Sequence, residues 1–212
     1  GPYHAGHIVN SSGMQSQKIA SWLGFASKYA TLPFLGTYVY TPELDGKFNS
    51  HIYPVPDKRN PFLGVHLTRT LDGRAKLGPT AVPIFSDEQY GVFKGFSMRE
   101  FTRIFGTYPA FISSPNHDVW SLIKTEVPKL SKWGVVSRGL ELLNLESPVK
   151  EAVWGRPGIR AQLFDKEAKR LEMDFVLEGD SNSTHVLNAV SPGWTSALTF
   201  SEIIVDEILG LS

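Results

Sequence analysis

Apolar positions recur at two different spacings along the chain, and each change of spacing marks a new block. His7-Ile8-Val9-Asn10 is a short apolar-leaning run, followed by Ser11-Ser12-Gly13. From Met14 to Leu23, Ile19, Trp22 and Leu23 fall on one helical face, and Gly24 is a good stop. The pattern predicts strand, tight turn, helix. Residues 35–41, Leu-Gly-Thr-Tyr-Val-Tyr-Thr, are β-branched and aromatic and predict a strand. Pro42 to Gly46 supplies a turn, and His51-Ile52-Tyr53 is a further short strand. Gly64 to Leu71 is a strand and Arg74 to Pro79 its return. Asp72-Gly73 between them is the strongest short hairpin signal in the chain. Residues 35–85 therefore read as an antiparallel meander.

The period then lengthens. Ser97 with Glu100 three residues later forms a capping box that opens a helix through Phe105. Residues 118–127 and 135–145 are two more helical stretches, the last ended by Ser147-Pro148. Strands return at 158–164, 175–178 and 184–189. Asp165 to Ala168 makes the turn between the first two, which predicts a hairpin. After Ser191-Pro192-Gly193 a final helix runs over about 195–209, with Leu198, Ile203, Val205, Ile208 and Leu209 as its apolar positions. The order is βα, a meander, three helices, a hairpin, then βα. That is an α+β, or mixed α/β, fold.

Composition narrows the classes. With 212 residues, 42% hydrophobic and 20% charged, the chain is globular rather than disordered. Its length allows one large domain or two small ones. Lys+Arg and Asp+Glu are 21 each, so no basic field exists to hold a phosphate backbone and no nucleic-acid partner is expected. The absence of cysteine excludes disulfides, Cys-ligated metals and a thiol nucleophile. No apolar run approaches the roughly 20 residues of a transmembrane helix, so no transmembrane segment is expected. Gly1-Pro2 reads like the scar of a cleaved expression tag. His4 and His7 have weak metal-ligand spacing but adjoin that scar, and no metal site is expected.

Gly-x-Gly occurs nowhere, which removes both the dinucleotide fingerprint and the P-loop. The remaining chemical signals are two βα turns, one strand and one arginine. Asn10-Ser11-Ser12-Gly13 and Asn188 to Ser196 each place small, hydroxyl-bearing residues at a helix start. Free backbone N–H groups there favour an anion such as a phosphate, although Ser, Gly and Thr are also ordinary caps. His66 and Thr68 share one face of their strand and Arg69 takes the other. A histidine beside a threonine could take a proton from a substrate hydroxyl; a strand with a polar outer face looks the same in sequence. Arg160, within Gly158-Ile159-Arg160-Ala161-Gln162, needs either an internal carboxylate or an anionic ligand.

Taken together these stretches are more specific. Ile52-Tyr53-Pro54-Val55-Pro56-Asp57, Pro61 to Arg69, Asp72-Gly73 and Leu77-Gly78-Pro79-Thr80-Ala81-Val82 closely resemble the FAD-dependent L-2-hydroxyglutarate dehydrogenases and oxidases, D-amino-acid-oxidase-like flavoproteins. Gly158 to Gln162 with Asp174-Phe175, His185 to Pro192, and Ile8 to Gly13 agree, in the family's order. The resemblance covers only the C-terminal half of that family, which fits the missing Gly-x-Gly. It implies FAD as cofactor and oxidation of a small 2-hydroxy acid to the 2-oxo acid by hydride transfer to the flavin. It further implies partial FAD-binding pieces at 1–33 and 156–212 and a substrate domain at 34–155. By the same resemblance Ser12, Gly13, Asn188, Ser191, Pro192, Gly193, Thr195 and Ser196 meet the cofactor, His66 is catalytic, and Thr68, Arg69 and Arg160 bind substrate. Gly193-Trp194 stands where the family has a small pair, and Phe200-Ser201 where it has Ile-Gly. The family suggests a mitochondrial or a bacterial, membrane-associated setting. No activity is expected from this chain alone. The alternatives are a non-catalytic module derived from such an enzyme, or one half of a two-chain enzyme completed by a partner carrying the N-terminal half.

Overall fold

A computed structural model describes residues 1–55, 62, 64–91, 94–115, 119–146 and 149–210, with only the backbone of 119–122. Asp118, Ser147 and Pro148, expected at helix ends, and most of the 56–63 motif lie outside the described residues. The fold is mixed α and β, as the pattern of periods predicts, and its strands form three sheets. No helix among the described residues is long and apolar enough to cross a membrane.

The first sheet joins the two ends of the chain. Strand β1 (Ile8–Asn10) pairs in parallel with β11 (Ser183–Asn188), and β10 (Val176–Gly179) lies antiparallel on the other side of β11. Helix α1 (Ser16–Trp22) follows β1 and packs on β11. Its buried positions are Ser16 and Ala20, whereas Trp22 and Leu23 are exposed, which corrects the expected apolar face. Small residues win that face because the helix lies close to the strand, over a core of Ala20, Ala26, Tyr29, Leu163 and Leu187.

The second sheet has the order β6-β2-β8-β9: Val82–Pro83, Tyr29–Gly36, Gly158–Asp165 and Arg170–Leu171. Two expectations change here. The strand read at 35–41 is two strands, β2 ending at Gly36 and β3 (Val39–Tyr40) in another sheet. Pro33 disguises β2 in sequence. Its carbonyl accepts Ile84 N–H on the β6 side, so its missing N–H falls on that side too and costs the β8 ladder nothing. The expected hairpin of 158–164 with 175–178 is also replaced. β8 turns back into β9, and the chain leaves this sheet so that β10 can join β11. Asn188 fixes that crossing by donating to the carbonyls of Glu172 and Asp174. Helices α2 (Met98–Phe105) and α3 (Tyr108–Ile112) contribute Ile104, Tyr108 and Phe111 to a core with Leu32, Phe34 and Phe164. Ser97 accepts Glu100 N–H as expected, but Glu100 turns its carboxylate to Asp87 N–H, while Ser97 N–H donates to Ser86. Tertiary partners thus replace half of the capping box.

The third sheet, β4-β5-β3-β7, holds the expected hairpin: β4 (His66–Arg69) and β5 (Ala75–Gly78) around Asp72-Gly73. β7 (Val153–Trp154) pairs with β3. Residues 51–53 give a single bridge, Ile52 to Leu67. One face of this sheet, with Val39, Leu67 and Leu77, packs on Val135 and Val136 of α5 (Lys132–Leu143). Gly139 permits the approach, since a Cβ there would meet Leu77 Cδ1 at 2.6 Å. Helix α4 (Val119–Glu126) precedes α5, and α6 (Ala197–Leu209) ends the chain.

Candidate functional site

Side chains alternate across a strand and directly opposed residues share a face. With Leu67 and Leu77 packed on α5, the opposite face of the third sheet carries His66, Thr68 and Lys76. The register sets Thr68 against Lys76, and Lys76 against Tyr40. Lys76 Nζ lies 4.0 Å from the centre of the Tyr38 ring, and Tyr53 stacks on His66 at 4.5 Å. Arg69 falls on the other side of β4 and is exposed, its backbone N–H donating to His51 Nδ1. The structure therefore separates Arg69 from His66 and Thr68, as the alternation predicts.

His66 is buried, and its Nδ1 lies 3.1 Å from the Gly64 carbonyl oxygen. A carbonyl can only accept, so Nδ1 carries the proton of the neutral ring and Nε2 keeps its lone pair. Burial holds the imidazole below its ordinary range, against the Gly64 hydrogen bond that raises it; the charges of Arg160, Lys76 and His51 lower it further. Arg160 of β8 is half-buried, acts electrostatically on His66, and forms no ion pair among the described residues. Of the two partners its position demands, the internal carboxylate is therefore not found among those residues.

The two βα turns meet because β1 and β11 are neighbours and parallel, so both turns leave the same end of the sheet. A cavity of about 600 Å³ opens there, lined by Ser11, Gly13, Asn188, Gly193 and Trp194 and by the apolar side of α6. Gly13 has φ +60°, with open space where a Cβ would be. Ala161, next to Arg160, lines the same cavity, so β8 borders both places. Of the residues expected around a cofactor, Gly13, Asn188 and Gly193 line the cavity. Ser12 instead donates to Asn10 Oδ1 (2.6 Å), and the Thr195 and Ser196 hydroxyls donate to the Pro192 carbonyl (3.0 Å each). Ser191 and Pro192 are exposed beside it.

Asn10 and His185 were not among the expected residues, yet they fasten the two turns together. The Asn10 amide donates to His185 Nδ1 (3.0 Å) and to the Ser16 carbonyl (2.9 Å), and His185 Nε2 lies 3.1 Å from Ser183 Oγ. His185 is fully buried and burial lowers its pKa. A histidine depressed in the fold binds its proton less readily there than in the unfolded chain. With both His66 and His185 depressed, stability should be full above the ordinary pKa of about 6.5 and decline as pH falls through the window below it. Thermal melts from pH 7.5 to 5 check this; a midpoint that stays constant or rises on acidification would contradict it.

No family model matches the chain. The chain is similar to dehydrogenases. The mitochondrial L-2-hydroxyglutarate dehydrogenase of Homo sapiens is 34% identical over 208 residues, covering 95% of this chain and 44% of that protein. The mitochondrial L-2-hydroxyglutarate dehydrogenase of Bos taurus is 33% identical over 211 residues, with the same coverage. The L-2-hydroxyglutarate dehydrogenase of Escherichia coli strain K12 is 32% identical over 211 residues, 98% of this chain and 49% of that protein. The resemblance read from the motifs is borne out over nearly the whole chain, which spans about half the length of these curated relatives.

Proposed function

We propose that this chain is the substrate-facing half of a flavin-dependent oxidoreductase that converts L-2-hydroxyglutarate, or a related 2-hydroxy acid, to the 2-oxo acid. The observation that carries the reading is His66: neutral, with Nε2 unprotonated, beside an arginine without a carboxylate among the described residues. Nε2 accepts the proton of the substrate hydroxyl, while Arg160 holds the carboxylate next to the reacting carbon. Thr68, on the same face, hydrogen-bonds the substrate. The anionic substrate offsets the positive charges around His66 and raises its basicity as it binds.

The residues at the β1 and β11 ends fit a flavin in part. The cavity lies at the carboxyl ends of parallel strands, its rim is small at Ser11, Gly13 and Gly193, and no acidic residue occupies the first turn of α6. Bound there, FAD would supply the acceptor for the hydride leaving the substrate. In this reading residues 1–33 and 156–212 hold the flavin side, and residues 34–155 hold the substrate side. The adenosine half of the cofactor is held by the complementary half that the relatives carry.

The test is a visible absorption spectrum of the purified chain with added FAD, alone and together with that complementary half. Alone, the chain should retain no flavin. Together, a bound-flavin band should appear and bleach on adding L-2-hydroxyglutarate. Flavin retained by the chain alone overturns the half-site reading, and a bound flavin that no 2-hydroxy acid bleaches overturns the function.

A further inference from the structure

Lys76 shares a sheet face with His66, on which Arg160 of the neighbouring β8 also acts electrostatically, and so adds a third positive or ionisable group there. It is half-buried, its ammonium rests on the Tyr38 ring, and it forms no ion pair among the described residues. Burial lowers its pKa, and no carboxylate of the described residues pairs with it. Elsewhere in the fold a buried cation is matched: Lys129 is paired with Glu126. An arginine and a lysine both near one histidine repel each other and the imidazolium. The arrangement is favourable when anionic charge arrives from beyond the described residues.

We infer that Lys76 holds the second carboxylate of a dicarboxylate substrate, with Arg160 on the carboxylate beside the hydroxyl carbon. This rests on the site proposed above. The spacing fits. Lys76 stands opposite Thr68, two residues along β4 from His66, a separation of roughly 7 Å at the rise of an antiparallel strand. From a hydroxyl carbon held at His66, the far carboxylate carbon of an extended five-carbon diacid lies about 4 Å away, and the flexible lysine stem spans the remainder. A monocarboxylate 2-hydroxy acid would leave Lys76 unmatched, so the lysine sets specificity rather than chemistry.

The test is calorimetric titration of the chain joined to its complementary half, before flavin is added, with L-2-hydroxyglutarate and with L-lactate, in the parent and in Lys76→Met, Lys76→Arg and Arg160→Met. The parent should bind the diacid at least tenfold more tightly than lactate. Lys76→Met should remove that preference while leaving lactate affinity within about twofold, and Lys76→Arg should restore most of it. Arg160→Met should weaken both ligands. A Lys76→Met protein that keeps the preference, with Arg160→Met still weakening both ligands, overturns the role of Lys76 and leaves the site standing. Failure of the parent to bind either acid overturns the site itself. Circular dichroism melts of the variants separate loss of binding from loss of fold.

Discussion

Replacing His66 with alanine, in the chain joined to its complementary half, should lower turnover of L-2-hydroxyglutarate by about two to four orders of magnitude, the range for loss of a positioned general base. Nδ1 is committed to the Gly64 carbonyl, so Nε2 is the nitrogen left free to take the hydroxyl proton in the proposed reaction. The effect should fall on kcat more than on KM, because Arg160 and Lys76 are the proposed carboxylate contacts. The acid limb of the parent kcat/KM profile, where His66 of the free protein takes up its proton, should vanish in the variant. That limb should lie below the ordinary imidazole range, because burial depresses the group. Dye-coupled assays across pH 5 to 9 measure both quantities. A His66→Ala protein within about threefold of the parent would end the assignment.

The largest stability effect should come from Phe164→Ala. Phe164 is fully buried on β8, its ring edge-to-face with Phe111 at 5.8 Å, in the core shared by β2, β8, α2 and α3. Removing a buried Phe ring costs about 3–5 kcal/mol, a large part of a stability of roughly 5–15 kcal/mol. For a chain of this size that lowers the melting midpoint by roughly 6–20 °C. Leu71 is fully exposed, and Leu71→Ala should change stability by no more than about 0.5 kcal/mol. Urea titrations of the two variants make the comparison. Equal midpoints would mean that the β8 core does not hold the fold together.

The elements that were legible in the sequence share a cause: local chemistry specified them. Asp72-Gly73 defined the β4–β5 hairpin because few residues accept such a turn. The Ser and Gly clusters after β1 and β11 marked two βα turns because a helix start needs small or capping residues. Short elements were not legible. α3 begins at Tyr108-Pro109, and its five residues are fewer than two helical turns, too few for a periodic signal. β7 and β9 have two residues each and exist only because a neighbour offers a ladder. β2 is buried on both faces, so it lacks alternation, and Pro33 interrupts it.

The site divides in the same way. His66, Thr68 and Arg160 could each be named from residue type and strand pattern, and a family resemblance gave them roles. Lys76 could not, because nothing in Arg-Ala-Lys-Leu distinguishes it from a solvated lysine. Only the pairing of β4 with β5 sets it opposite Thr68. Asn10 and His185 are 175 residues apart and meet only because β1 and β11 lie parallel. By itself the sequence determined the class of fold, the hairpin, the two βα turns and the residue types able to do the chemistry, since these follow from backbone preference and short-range periodicity. The tertiary structure decided which strands pair, which face of each sheet stays open and which charges share it. Those choices depend on burial between segments far apart in the chain, where the cost of an unmatched charge or an empty core is settled only once the segments meet.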